Sequence, residues 1–249
     1  MLHILMASIH VGIAGNIGSG KSTLAEFLEK IEFHKQVGQP AIKVFRESIV
    51  ANPYLSRYYL DAKRWAFESQ MSFLQQRIKQ QAEILLFHGV AIEDRTAIED
   101  RWVFAEALHD QGIMDDMAFA NYLFWYRVVL EKLCVPHLLV YLKTGSNTLL
   151  ERIDKRGRSM ESGITAEYLE NLGHKYNSFI ERYAAIIDSH LGRPDRTDVL
   201  VINASVDFEK DDPRYLEDVA RQIKQKLDEM GLIHRPEKPL TYFDIKPVL

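Results

Sequence analysis

Residues 15–23 read GNIGSGKST, and no other stretch narrows the possible folds of this chain so far. Gly15, Asn16, Ile17, Gly18, Ser19, Gly20, Lys21 and Ser22 fit the pattern G-x-x-x-x-G-K-[ST]. The apolar run IHVGIA leads into it, and the amphipathic LAEFLEKIEF follows Thr23. The pattern therefore sits between a strand and a helix, as phosphate-cradling geometry requires. Its glycines let the backbone curl with N–H groups pointing inward, and the helix N-terminus adds a positive end. Lys21 is placed to reach the β- and γ-phosphates and the Ser22 hydroxyl to bind Mg²⁺. A glycine-rich turn followed by a chance Lys-Ser does not account for both flanks. Residues 15–23 are thus expected to bind a nucleoside triphosphate such as ATP, whether that phosphate is transferred, hydrolysed or only held.

Short apolar runs at 9–15, 41–47, 89–95, 137–144 and 198–204 alternate with amphipathic segments at about 22–33, 61–88, 115–134, 147–156, 165–189 and 213–230. Runs this continuously apolar suit strands buried on both faces of a parallel sheet. Strand and helix in alternation give an α/β fold with crossover helices. The expected architecture is the three-layer P-loop NTPase type, with a five-stranded parallel sheet between helices. With 249 residues, 47% of them hydrophobic, residues 1–234 suffice for one large domain. The three prolines after Arg235 mark 235–249 as an irregular tail. A net charge of -4 gives no basic excess to favour nucleic acid. A single cysteine, Cys134, excludes a disulfide within the chain and fits a reducing cytoplasm. No run approaches the roughly 18 apolar residues of a membrane span. The N-terminal MLHILMAS lacks the basic flank of a signal peptide, and either Met1 or Met6 can be the start.

Ligands of open α/β sheets bind beyond the carboxyl ends of the strands. There the second run ends in Arg46-Glu47 and the third in Asp94-Arg95-Thr96. An attacking hydroxyl gains from a carboxylate that takes its proton, and Glu47 and Asp94 are both candidates for that base or for a metal ligand. Isolated loop acids are usually solvated, but two share one rim beside the phosphate loop. Further on, ERIDKRGRSME (151–161) places Arg152, Arg156 and Arg158 at a helix end and in the loop after it. Guanidinium forks suit phosphate oxygens, so 152–163 reads as a lid over the triphosphate. The competing reading is a surface helix with i,i+4 pairs such as Glu151–Lys155.

The order of these features resembles the deoxyribonucleoside kinases, the family of deoxycytidine, deoxyadenosine and deoxyguanosine kinases. The likeness runs from the phosphate loop to about residue 230. It rests on Glu47, on Gln70 and Arg77 in an aromatic-rich helix, on Asp94-Arg95-Thr96 with Asp100-Arg101, and on the complete spacing R-x-x-x-R-x-R-x-x-E from Arg152 to Glu161. The resemblance implies Lys21, Glu47 and Arg95 as catalytic residues, with Glu47 the base for the nucleoside 5′-hydroxyl. It implies Asp94 and Ser22 at Mg²⁺, and Tyr59 with Glu161 at the sugar 3′-hydroxyl. Gln70 would meet the base edge, Arg77 and Asp100 would form a charged pair behind it, and Phe104 would line the base pocket. Trp65 and Phe67 are read as packing, with Phe73 within reach of the base. Three positions depart from the family pattern: Asp94 stands for the usual Glu, Thr96 for Ser, and Ser69 for the stacking Phe that animal relatives carry before the Gln. The smaller Ser69 leaves room for a larger purine.

The segment from Met114 to Leu133 is apolar around much of its circumference, so more than one face has to be buried. Family members are usually homodimers packed through helices, and a homodimer is expected. Deoxynucleoside phosphorylation with a purine preference is the leading reading, and pyrimidine or broad specificity on the same fold is its alternative. A nucleoside monophosphate kinase would want free cations at the acceptor, where Glu47, Tyr59 and Gln70 stand instead. A P-loop switch without transfer is the reading from another class.

Overall fold

The computed structural model describes residues 8–47, 51–130, 134–191, 197–205 and 213–233. Met1, Met6 and the expected tail at 235–249 lie outside the described residues. Five strands, β1 (Ile9–Gly15), β2 (Ile42–Phe45), β3 (Val90–Asp94), β4 (Leu138–Lys143) and β5 (Asp198–Asn203), form one sheet in the order β2-β3-β1-β4-β5. Every pairing is parallel. The expected α/β class and five-stranded parallel sheet are what the chain forms.

On one face of the sheet, α1 (Lys21–Lys30), the short α2 (Phe33–Gln36) and α10 (Pro213–Glu229) set Leu24, Leu28, Phe33, Val219 and Ile223 against Val11, Ile13, Ile92 and Val140. On the other face, α9 (Ala166–Leu191) lays Leu172, Tyr176 and Phe179 over Ala14, Leu139 and Tyr141. β1 and β3 are buried along their whole length, as their uninterrupted apolar character predicts. β5 departs from that expectation. It is paired only with β4, and Val201 is 50% exposed, because an edge strand has a neighbour on one side alone.

A second, all-helical cluster stands beyond the sheet. Helix α3 (Leu55–Leu60) precedes α4 (Ala62–Leu86), whose N-cap Asp61 accepts from the Arg64 amide at 3.1 Å. The chain leaving β3 enters α5 (Ala97–Glu99), winds as a π-helix over Asp100–Ala105 and returns to α6 (Glu106–Asp110). Tyr122 and Tyr126 of α7 (Asp116–Leu130) pack into this cluster with Leu74 and Leu108. α8 (Ser146–Arg156) follows β4 and stops at Gly157, whose φ of 65° is left-handed. The chain then turns back through the short 3-10 turn Ser159–Glu161.

Candidate active site

The phosphate loop leaves β1 at the middle of the sheet, where both neighbouring strands support it. Gly18, at φ 81°, lies so close under α8 that a Cβ would come within 3.0 Å of the Leu149 carbonyl oxygen. Gly20, at φ 97°, opens α1 without any side-chain cap, leaving the first-turn amides available to an anion. Asn16 is structural: its Nδ2 donates to the Leu169 carbonyl at 2.8 Å, and its Oδ1 accepts from the Ile17 amide. Lys21 folds back on the loop, and its Nζ donates to the Gly15 and Asn16 carbonyls, both at 2.9 Å. Burial, reinforced by the Arg95 charge, pushes the Lys21 ammonium down to about 8, although Asp94, Glu47 and Glu99 pull the other way. Thr23 lies in the first turn of α1 and is not part of the cavity lining.

Opposite the loop, the ends of β2 and β3 bring charges of both signs together. Ser22 Oγ donates to Asp94 Oδ2 at 2.6 Å. These are hard oxygen donors, and Mg²⁺ typically takes one or two protein oxygens, the rest being phosphate and water. The pair fits such an ion without a protein cage, and among the described residues no group of three or more His, Cys, Asp or Glu forms one. Arg95 has a left-handed backbone, φ 69°, unusual for a residue with a side chain. Its Nε reaches Glu47 at 3.1 Å, and its guanidinium lies 4.3 Å over the Phe104 ring. Arg77 donates from Nε to Asp100 at 2.9 Å and from Nη2 to Glu47 at 3.1 Å. Burial raises the Glu47 carboxyl, but Arg95, Arg77 and Lys21 together outweigh it and hold it below the usual carboxylate range. Glu47 is therefore ionised at neutral pH.

One cavity is lined by Gly18, Lys21 and Ser22 on the loop side and by Glu47, Asp94 and Arg95 on the rim. Tyr59, Gln70 and Phe73 enter from α3 and α4, and Asp100 and Phe104 from the π-helix. Gln70 is buried, and its Oε1 has no hydrogen-bond partner among the described residues. Arg156 and Arg158 close the cavity with Glu161, which accepts from Arg156 at 2.5 Å and from Arg158 at 3.4 Å. Burial and then the Glu161 charge raise the Tyr59 phenol, so it stays protonated.

Outside the phosphate loop itself, two expected residues are not at the cavity wall. Arg77 sits behind it, tied to Glu47 and Asp100. Arg152 lies one helical turn before Arg156, and its charge acts on Tyr215 of α10 instead. The sequence reading missed Tyr58 and Tyr168, which also line the cavity, and the buried Glu99 and Tyr176 beside the phosphate loop. Tyr176 lies on an amphipathic helix whose periodicity marks it only as core. Glu99 had one sequence signal, its place three residues after Thr96, which makes it the second half of a capping box.

A phosphate loop facing a carboxylate and arginines across one cavity, on this sheet order, defines a P-loop phosphotransferase. The chain belongs to the deoxynucleoside kinase family, whose model matches residues 11–228. It is 33% identical over 185 residues to a deoxyadenosine/deoxycytidine kinase of Bacillus subtilis, covering 74% of this chain and 81% of that one. It is also 33% identical over 181 residues to a deoxyadenosine kinase of Dictyostelium discoideum, covering 72% of this chain and 70% of that one. Among solved structures, the deoxyadenosine kinase from M. mycoides with bound dATP superposes with a TM-score of 0.68 at 29% identity, over 88% of this chain and 99% of that one. This chain is accordingly an ATP-dependent deoxynucleoside kinase.

Proposed function

We propose that the chain, as a cytoplasmic homodimer acting in nucleotide salvage, moves the γ-phosphoryl group of ATP to the 5′-hydroxyl of a purine deoxynucleoside. The carrying observation is the charge balance on the acceptor side. Arg77 and Arg95 are both committed to carboxylates, Glu47 and Asp100, so an uncharged nucleoside suits this half of the cavity better than a monophosphate. The ionised Glu47 takes the 5′-hydroxyl proton as that oxygen bonds to the γ-phosphorus and the bond to ADP breaks. Lys21 and Arg95 offset charge on the transferring group. Ser22 and Asp94 hold Mg²⁺, which supplies charge neutralisation at the phosphates when bound. Residues 152–163 serve as the lid, with Arg156 and Arg158 turned to the triphosphate. Tyr59 and Glu161 hold the 3′-hydroxyl.

The unpartnered Gln70 Oε1 supports base recognition by hydrogen bonding, and a purine amino group is a suitable donor for it. The small Ser69 beside it, and the deoxyadenosine kinases among the relatives, favour deoxyadenosine or deoxyguanosine. For the dimer, α7 turns Tyr122 and Tyr126 inward while Phe124, Trp125 and Val128 stay exposed, as do Leu85 and Leu86 of α4. The Phe124 and Trp125 rings lie 5.5 Å apart, and exposed apolar surface of this kind supports an interface. Transfer from ATP·Mg²⁺ to the four deoxynucleosides, matched ribonucleosides and nucleoside monophosphates tests the reading. The highest kcat/KM belongs to deoxyadenosine or deoxyguanosine. A maximum at deoxycytidine or thymidine rejects the purine assignment, and transfer only to monophosphates rejects the role given to the acceptor side.

A further inference from the structure

Two groups outside the cavity wall join its two halves. Tyr176 and Glu99 are both fully buried. Tyr176 comes from α9 on one side and Glu99 from the first turn after β3 on the other. The Tyr176 hydroxyl lies 2.7 Å from the Gly15 carbonyl oxygen, 2.8 Å from Glu99 Oε1 and 3.0 Å from Arg95 Nη1. Glu99 Oε1 also accepts from the Gly15 amide at 3.3 Å. Glu99 Oε2 accepts from the Thr96 amide at 2.8 Å and from its hydroxyl at 3.1 Å. The first residue of the phosphate loop and the guanidinium of Arg95 thus meet on one phenol oxygen.

The hydrogens in this cluster can be counted. Arg95 has only hydrogens to give, so the phenol oxygen accepts from it. Two oxygens 2.7–2.8 Å apart need a hydrogen between them, and two such contacts leave the phenol oxygen. The phenol carries one hydrogen. The Gly15 carbonyl has none, so the phenol gives its own to Gly15. The hydrogen of the other contact belongs to Glu99. Burial favours the same neutral form, raising the Glu99 carboxyl against the pull of Arg95. Tyr176 keeps its ring in place independently of these bonds, stacked on Tyr141 at 5.5 Å and edge-on to Phe104 at 6.2 Å.

We propose that Tyr176 and a protonated Glu99 are positioning residues for phosphoryl transfer, fixing Arg95 relative to the start of the phosphate loop. Arg95 needs such a hold. Its left-handed backbone is a strained conformation that persists only where the surroundings over-determine it. The hold comes from Glu47 at the rim, the Phe104 ring below, and the Tyr176–Glu99 pair behind. Loss of the pair leaves the substrates bound but lets the donor and acceptor halves drift. A displacement of about 1 Å costs on the order of 100-fold in rate.

The proposal rests on the kinase reading, and the experiment separates the two. Steady-state kinetics with ATP and the preferred deoxynucleoside are measured for wild type, Tyr176→Phe, Glu99→Ala, Glu99→Gln and the Tyr176→Phe/Glu99→Ala double variant, with thermal melts of each. Tyr176→Phe, which keeps the ring, lowers kcat by about 10- to 100-fold while both KM values stay within roughly 3-fold. Glu99→Ala falls similarly, and the double variant falls no further than the worse single one, since both remove the same unit. Glu99→Gln rescues kcat to within about 5-fold of wild type, because a carboxamide donates to the phenol and accepts from Thr96 as the neutral acid does, giving up only the long 3.3 Å contact from the Gly15 amide. A folded Tyr176→Phe with wild-type kcat overturns the positioning role. Glu99→Gln as impaired as Glu99→Ala overturns the protonated state. If Glu99→Ala does not fold, Tyr176→Phe and Glu99→Gln still decide both points. A wild-type protein that transfers no phosphate removes the kinase reading itself.

Discussion

Lys21 is a cation that the protein holds at a cost. Its side chain is buried, and its ammonium sits at about 8 against an ordinary 10.5. At about 1.36 kcal/mol for each pH unit between those values, keeping Lys21 charged near neutrality costs the fold about 3 kcal/mol. Lys21→Met removes the charge and keeps most of the volume. It also gives up the two hydrogen bonds to Gly15 and Asn16, each worth about 1 kcal/mol. The balance is a stabilisation of about 1 kcal/mol without nucleotide, or a Tm higher by roughly 2–4 °C for a chain of this size. The sign with pH follows from proton binding. Between about 8 and 10.5 the unfolded chain keeps the Lys21 proton and the folded chain has lost it, so wild-type stability rises with pH through this window. The variant gains nothing there. Its advantage therefore shrinks by about 2 kcal/mol between neutrality and roughly pH 9.5, enough to reverse its sign. Paired thermal melts at the two pH values measure this, with every other titrating group common to both proteins. A variant less stable than wild type at neutral pH, or a difference that does not move with pH, refutes the reasoning. The same substitution abolishes transfer, because it removes the cation meant for the phosphates.

Glu47→Gln lowers kcat by about 10²- to 10⁴-fold while nucleoside affinity changes only a few-fold, and a kcat near wild type removes Glu47 as the base. Asp100→Ala leaves the buried Arg77 with Glu47 as its remaining carboxylate and costs about 3 kcal/mol, a Tm lower by roughly 10 °C in thermal melts. Trp125→Asp places a charge in the exposed apolar face of α7; on the proposed dimer, sedimentation then reports a monomer for the variant and a dimer for wild type.

The fold was legible because its signals are local. A glycine pattern between strand and helix, and apolar runs at crossover spacing, suffice to specify a parallel sheet with the phosphate loop on its central strand. Edge position is not local, which is why β5 reads as buried in sequence and stands half-exposed in space. Motif spacing gathered the candidate residues at the strand ends and between Arg152 and Glu161, and the chain brings most of them to one cavity. Arg152 shows the limit of spacing. It keeps the i,i+4 interval to Arg156, yet one helical turn carries it from the cavity wall toward Tyr215. Tyr176 was illegible for another reason. Helical periodicity says which side faces the core, but the phenol at the tip of a core ring, and its meeting with Gly15, Glu99 and Arg95, depend on how α9 crosses the sheet.

The contacts of Glu161 have a thermodynamic corollary. This buried carboxylate is the counter-ion of both Arg156 and Arg158. A triphosphate that recruits Arg156 or Arg158 takes a cation away from it and frees an oxygen beside Tyr59. A sugar hydroxyl that engages Glu161 in turn loosens the arginines for the phosphates. On the proposed roles, the two substrates exchange the same pair of ion bonds. By linkage, whatever affinity the nucleotide adds for the nucleoside, the nucleoside returns to the nucleotide in equal measure.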